Sequence, residues 1–245
     1  MDLAGRQSLL SNNSILRVGR MELEGHMAIN INSNKFSSFE PHQILQAWFS
    51  SSFPIGSYVY SHGLEAMIEN KLVTNKKDVI DFIESTLFVG TCRNEYIFLK
   101  STYNGADVND LVLANCPSKE RHIETLQMGD AFRKIMKESW NFNIDKKTSF
   151  PVCVAKAGLR FNIPFRELSD FYMQSFITNL INVCVKHVPL SQKDGQDCLL
   201  AFLGMLKEFN VTAQKYNLDD LSGLSFYGDI YSMKHEKLSS RVYVT

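Results

Sequence analysis

Residues 165–187 read FRELSDFYMQSFITNLINVCVKH, and this stretch decides the fold. Leu168, Phe171, Phe176, Leu180, Ile181, Val183 and Val185 put apolar groups on most faces of a helix rather than on one stripe. That is the pattern of a helix surrounded by other helices. Pro164 before it and Pro189 after it mark its ends, because the residue preceding a proline is pushed out of the helical region. Its most apolar part, Phe176 to Val185, is interrupted by Thr178, Asn179 and Asn182 and falls short of the roughly 18 residues that cross a bilayer. The segment predicts the central helix of a bundle and no membrane span.

Outward from this helix, apolar residues recur at spacings of three and four rather than two. Pro41 opens a segment with Ile44, Leu45, Trp48 and Phe49 on one face, ending before Phe53-Pro54. A short helix follows around Leu64, Met67, Ile68 and Leu72, then a long one from near Asn75 through Val79, Ile83, Leu87 and Leu99 to Tyr103, bent at Gly90. Past Asn104-Gly105 a weak helix spans about 107–115, and Pro117-Ser118 caps another bearing Phe132, Met136 and Trp140. Pro151 marks one more boundary, and Ser191 caps a helix running to about Glu208. No segment alternates long enough to pair as strands. The expected fold is a single all-α domain of about eight to ten helices over 39–220. A disordered leader, rich in Ser, Asn and Gly, is expected at 1–38, and a C-terminal tail at 221–245.

The 245 residues and 28.0 kDa are ample for a buried core. Lys+Arg and Asp+Glu both total 26, so the basic excess that holds nucleic acid or acidic lipid is missing. A neutral surface lacks self-repulsion, which points to an oligomer or a member of a complex. The leader has no signal-peptide core, and Asp2, Glu22 and Glu24 speak against a transit peptide despite Arg6, Arg17 and Arg20. Cysteines at 92, 116, 153, 184 and 198 form no CxxC pair and read as reduced, structural thiols of a cytoplasmic protein.

Motifs for phosphate loops, dinucleotides, serine nucleophiles and zinc hydrolases are all missing from the sequence. His235-Glu236 is half of a zinc motif, but the residue four after His235 is Ser239. His62 and Glu65 lie three apart and could share a helix face and a cation, although a surface pair or cap explains them as well. Asp219-Asp220 reads as a turn or cap. No catalytic residue, resident metal or cofactor is expected.

Two clusters exceed packing needs. FPIGSYVYSHGLE, residues 53–65, crowds a proline, two glycines, two tyrosines and two serines into a loop of defined shape. VKHVPLSQKDGQ, residues 185–196, ends a helix at Pro189 and starts another with Ser191 and Asp194 in a capping box, leaving Lys186, Gln192 and Gln196 over. In the tail, Gly223 and Gly228 space out Phe226, Tyr227 and Tyr231 ahead of Lys234, Lys237 and Arg241. Such a segment either gains order on a partner or packs on its own domain.

At these two clusters, and again over DIYSMKHEKLSSRVY at 229–243, the sequence resembles the UreF family of urease accessory proteins. The resemblance runs from about Phe39 to the end, in that family's order. Val242 replaces a common Leu, and His187 a smaller residue. The resemblance implies an all-α, non-catalytic, homodimeric scaffold that binds UreH (also called UreD), recruits the GTPase UreG and supports nickel delivery to apo-urease. It carries over to Tyr58, Lys186, Gln192, Asp194, Gln196, His235, Glu236 and Arg241 as motif positions. On this reading the C-terminal tail orders upon binding UreH and docks Tyr231, Met233 and Tyr243 into apolar pockets of the partner. Arg241 and Lys186 either meet the partner or stay within the fold, bonding helix C-terminal carbonyls. Two further roles remain open. One is a nickel-binding metallochaperone using His62, Glu65, His235 and cysteines. The other is activation of UreG, for which none of Arg93, Arg121, Arg133, Arg160 and Arg166 stands out as the finger.

Overall fold

The computed structural model describes residues 35–223 and 226–244. Among them the chain runs α1 (Pro41–Trp48), α2 (Leu64–Glu69), α3 (Lys76–Phe88), α4 (Thr91–Tyr103), α5 (Asn109–Ala114), α6 (Lys119–Ser139), α7 (Phe150–Arg160), α8 (Phe165–His187), α9 (Gln192–Ala213) and α10 (Phe226–His235). Tight 3-10 turns lie at Lys35–Ser38, Ser57–Val59 and Leu218–Asp220, and no strand occurs among the described residues. Apart from Lys35–Ser38, the leader expected at 1–38 lies outside the described residues. Phe39–Thr245 forms a unit of its own.

α8 is the central element: α1, α2, α3, α4, α7 and α9 all pack on it. Leu168, Tyr172, Ile177, Leu180, Ile181 and Cys184 are buried along its length. Beside it, the fully buried Trp48 meets Phe132, Trp140 and Phe161 edge-on at 5.5–5.8 Å, the geometry that aromatic quadrupoles favour. Each large side chain removed from water this way contributes about 1.5–3 kcal/mol.

The helix starts follow the sequence. Pro41 sits in the first turn of α1, Ser118 accepts from the Arg121 N–H, and Ser191 and Asp194 form the reciprocal box that opens α9. Asp219 and Asp220 close a capped 3-10 turn, as their spacing suggested. Two helices depart from expectation. The long helix over 75–103 is not bent but divided: Val89 ends α3, and Gly90, in extended conformation, starts α4. α3 then packs on α9 while α4 packs on α7. α9 passes Glu208 and ends at Ala213 because Phe209 is fully buried against Phe88, Tyr96 and Tyr216. All five cysteines are free, and burial pushes Cys153 and Cys184 up to about 12, so both remain inert thiols.

Candidate functional site

The 53–65 loop and the tail, at opposite ends of the chain, pack on one another. Gly63 takes a left-handed conformation, φ +79, and a Cβ added there would collide with the backbone of Tyr231 and Ser232. Only glycine lets α10 approach α2 so closely. Ser232 is buried and shares a 2.6 Å hydrogen bond with Ser118, the cap of α6. At the end of the tail, Val244 N–H donates to the Val59 carbonyl at 2.8 Å.

Two carboxylates clasp the tail. Glu65, in the first turn of α2, accepts Val242 N–H at Oε1 (2.7 Å), and Tyr243 N–H (3.1 Å) and His235 Nε2 (2.8 Å) at Oε2. Glu120, in the first turn of α6, accepts from His235 Nδ1 at Oε2 (2.8 Å) and from Arg241 at Oε1 (2.9 Å). His235 is fully buried between them. A ring with a single N–H donates only once, so the imidazolium is the form that serves both carboxylates. Burial alone pushes Glu65 up, but the bonds from His235, Val242 and Tyr243 outweigh it and hold the carboxyl below its ordinary value.

Just beneath, the next residues of α6 enter a second charged group. Buried Arg121 pairs with Glu124 and, at 2.8 Å, with Glu95. Tyr172 donates its hydroxyl to the other oxygen of Glu95, and burial, reinforced by Glu95, raises that phenol well above its ordinary value. His62 Nε2 lies 3.3 Å from Glu124. Burial, aided by Arg121, holds His62 well below the usual imidazole value. Because Arg121 already offsets Glu124, the neutral ring is the donor here. Arg121 and Glu95 also line a cavity of about 230 Å³ together with Cys116 and Asp229. Burial pushes Cys116 up to about 11, which leaves a thiol and no nucleophile.

The residues singled out from sequence fall into three groups. His235, Arg241 and Tyr243 belong to the latched tail. Tyr243 is buried on its own chain, edge-on to His187 at 5.3 Å. Arg241 bonds a carboxylate of its own fold rather than a helix-end carbonyl. Tyr58, Lys186, Met233 and Glu236 are exposed, Tyr58 at 69 %. Tyr231 is half-buried, with the Lys234 ammonium 4.3 Å above its ring. Gln192 and Gln196 are exposed on the first turns of α9. Asp194 serves structure there: bonds from Ser191 and then Lys76 hold its carboxyl at about 2, and Lys76 on α3 lies 3.2 Å away. His62 and Glu65 do not share a helix face. His62 stands before α2 in a left-handed conformation, φ 54, and turns to Glu124 and Phe176, while Glu65 turns to the tail. Among the described residues no group of three or more His, Cys, Asp and Glu is arranged to hold a metal ion, and no helix is long and apolar enough to cross a membrane.

Nothing local in the sequence marks Glu120 and Ser118 as site residues, since their partners lie more than a hundred positions away. Gly63, inside the 53–65 cluster, was the visible signal of a close backbone approach.

Fold and site together define an all-α protein whose C-terminal tail is clasped by carboxylates of its own body. A UreF family model matches residues 73–203. Relatives named "Urease accessory protein UreF" include those of Ruegeria pomeroyi, 33% identical over 82% of this chain and 95% of the relative, and of Jannaschia sp., 31% identical over 82% and 93%. That of Roseobacter denitrificans is 30% identical over 82% and 92%. The chain belongs to the UreF family.

Proposed function

We propose that this chain is a urease accessory protein acting in maturation. In this reading it is a non-catalytic cytoplasmic scaffold that dimerises, binds UreH/UreD and recruits the GTPase UreG for nickel insertion into apo-urease. The observation that carries the reading is convergence: the 53–65 loop, His187 beside Lys186, and the 229–243 segment meet on one face. Around the buried clasp that face leaves Tyr58, Met233 and Val242 exposed, with Val242 at 70 %. Exposed aromatic and apolar groups, in segments that also carry the exposed Lys186, Lys234 and Lys237, suit a protein interface with an apolar centre and a charged rim. UreH/UreD is the partner for this face. A contribution to UreG turnover is read separately, as the GTPase rate with and without this chain in the complex.

The experiment is size-exclusion chromatography with light scattering of the full chain mixed with its UreH/UreD partner. The wild type is expected to give a two-to-two complex, and Tyr58→Ser combined with Met233→Ser to give separate species while retaining the melting temperature. A double variant that assembles like the wild type removes this face from the interface.

A further inference from the structure

We infer that Glu65 and Glu120 are positioning residues for partner binding, a pair of carboxylates that latch the tail so that the exposed groups on either side of it form one docking surface. The inference rests on the docking-face reading above and adds what builds that face.

Every oxygen of the two carboxylates is committed to the tail, through five hydrogen bonds to His235, Arg241 and the backbone of Val242 and Tyr243. The helices that carry them gain nothing comparable from these contacts. α6 already has its cap in Ser118, both helices have buried faces of their own, and in the bonds above neither carboxylate serves its own helix. The charges also balance only across the latch, with two carboxylates from the body and the imidazolium and guanidinium from the tail. Lift the tail and two like charges face each other across an emptied seat. The carboxylates therefore select one register of the tail. His235 fits only between them, and Glu65 takes two consecutive N–H groups, so a slip of one residue breaks the set. With that register fixed, Met233 and Val242 stay exposed, and the end of the tail is tied through the Val244 N–H to the Val59 carbonyl, next to the exposed Tyr58.

The test uses full-length Glu65→Gln and Glu120→Gln. Glutamine keeps the size but turns an NH2 toward donors that need an acceptor. Hydrogen exchange by mass spectrometry is read for 226–243 and for the body at 76–213, alongside affinity for UreH/UreD. Expected are at least tenfold faster exchange in the tail, unchanged exchange in the body, and at least tenfold weaker binding. Glu120→Asp, which keeps the charge, is expected to recover part of both. Tail protection equal to wild type in both Gln variants overturns the inference, as does loss of protection that spreads equally through the body. Tyr58→Ser separates the two readings, since it is expected to weaken binding without loosening the tail. If the Gln variants bind normally with a loosened tail while Tyr58→Ser weakens binding, the inference falls and the docking-face reading stands; if Tyr58→Ser binds normally as well, both fall and Glu65 and Glu120 are left as a tail clasp alone.

Discussion

Two buried charge groups lie side by side at the start of α6, and they are built on opposite plans. The inner one, around Arg121, draws on α4, α6, α8 and the loop before α2, all parts of the helical body. The outer one, around His235, takes its carboxylates from the body and its cations from the last residues of the chain. In the inner group one guanidinium faces two carboxylates, and the surplus charge is spread over neutral donors, the Tyr172 hydroxyl and His62. In the outer group the charges match. An unequal buried group cannot be opened without stranding a carboxylate in a low-dielectric interior, whereas an equal one can separate into water. The contrast shows one set of residue types used first as a fixture and then as a fastening.

Removing the fixture carries the largest effect. Arg121→Leu leaves Glu95 and Glu124 buried without their shared cation, and is expected to cost about 3–5 kcal/mol, a fall of about 6–20 °C in melting temperature by calorimetry. Gly63→Ala attacks the fastening through its seat, by strain at positive φ and by collision with the α10 backbone. About 1–3 kcal/mol is expected, seen as faster hydrogen exchange confined to 226–243. If the tail stays protected, the close approach of α10 to Gly63 is not what seats it.

Acid separates the two groups without mutation. His62 has its folded value depressed below the ordinary imidazole value, so the unfolded chain takes up a proton that the folded one refuses. Stability therefore falls as pH drops below about 6.5, by up to about 1.4 kcal/mol per pH unit. Glu65 is also depressed, and its contribution, full above the ordinary carboxylate value, is lost only as pH falls below about 4. Chemical denaturation from pH 7 to 3 is expected to show the body weakening first and the tail releasing later. The reverse order breaks the comparison. The smallest effect is Ser191→Ala, which opens the box at the start of α9 and touches neither charge group directly. It should cost about 1 kcal/mol, and the Asp194 carboxyl, held at about 2, should rise toward its ordinary value in an NMR titration.

Where sequence reading succeeded, the cause was local. A helix apolar on most faces, such as 165–187, has few ways to avoid the centre of a bundle, and Pro41, Ser118 and Ser191 satisfy the first N–H groups of their helices from within a few residues. Where it failed, the deciding contact was distant. Periodicity runs unbroken across Val89-Gly90, and only the packing of α3 on α9 and of α4 on α7 divides the helix. His62 and Glu65 share a helix face only if both lie within the helix, and His62 does not.

The same division runs through the site. By itself the sequence determined the bundle, the helix starts and the three stretches that carry the family resemblance, because propensity, capping and hydrophobic period act over a few residues. Only the tertiary structure decided that those stretches meet, that Tyr243 turns inward, and that Glu65 and Glu120 hold His235 between them. The physical reason is that an ion pair depends on distance in space, and Glu65 lies 170 positions from its partner.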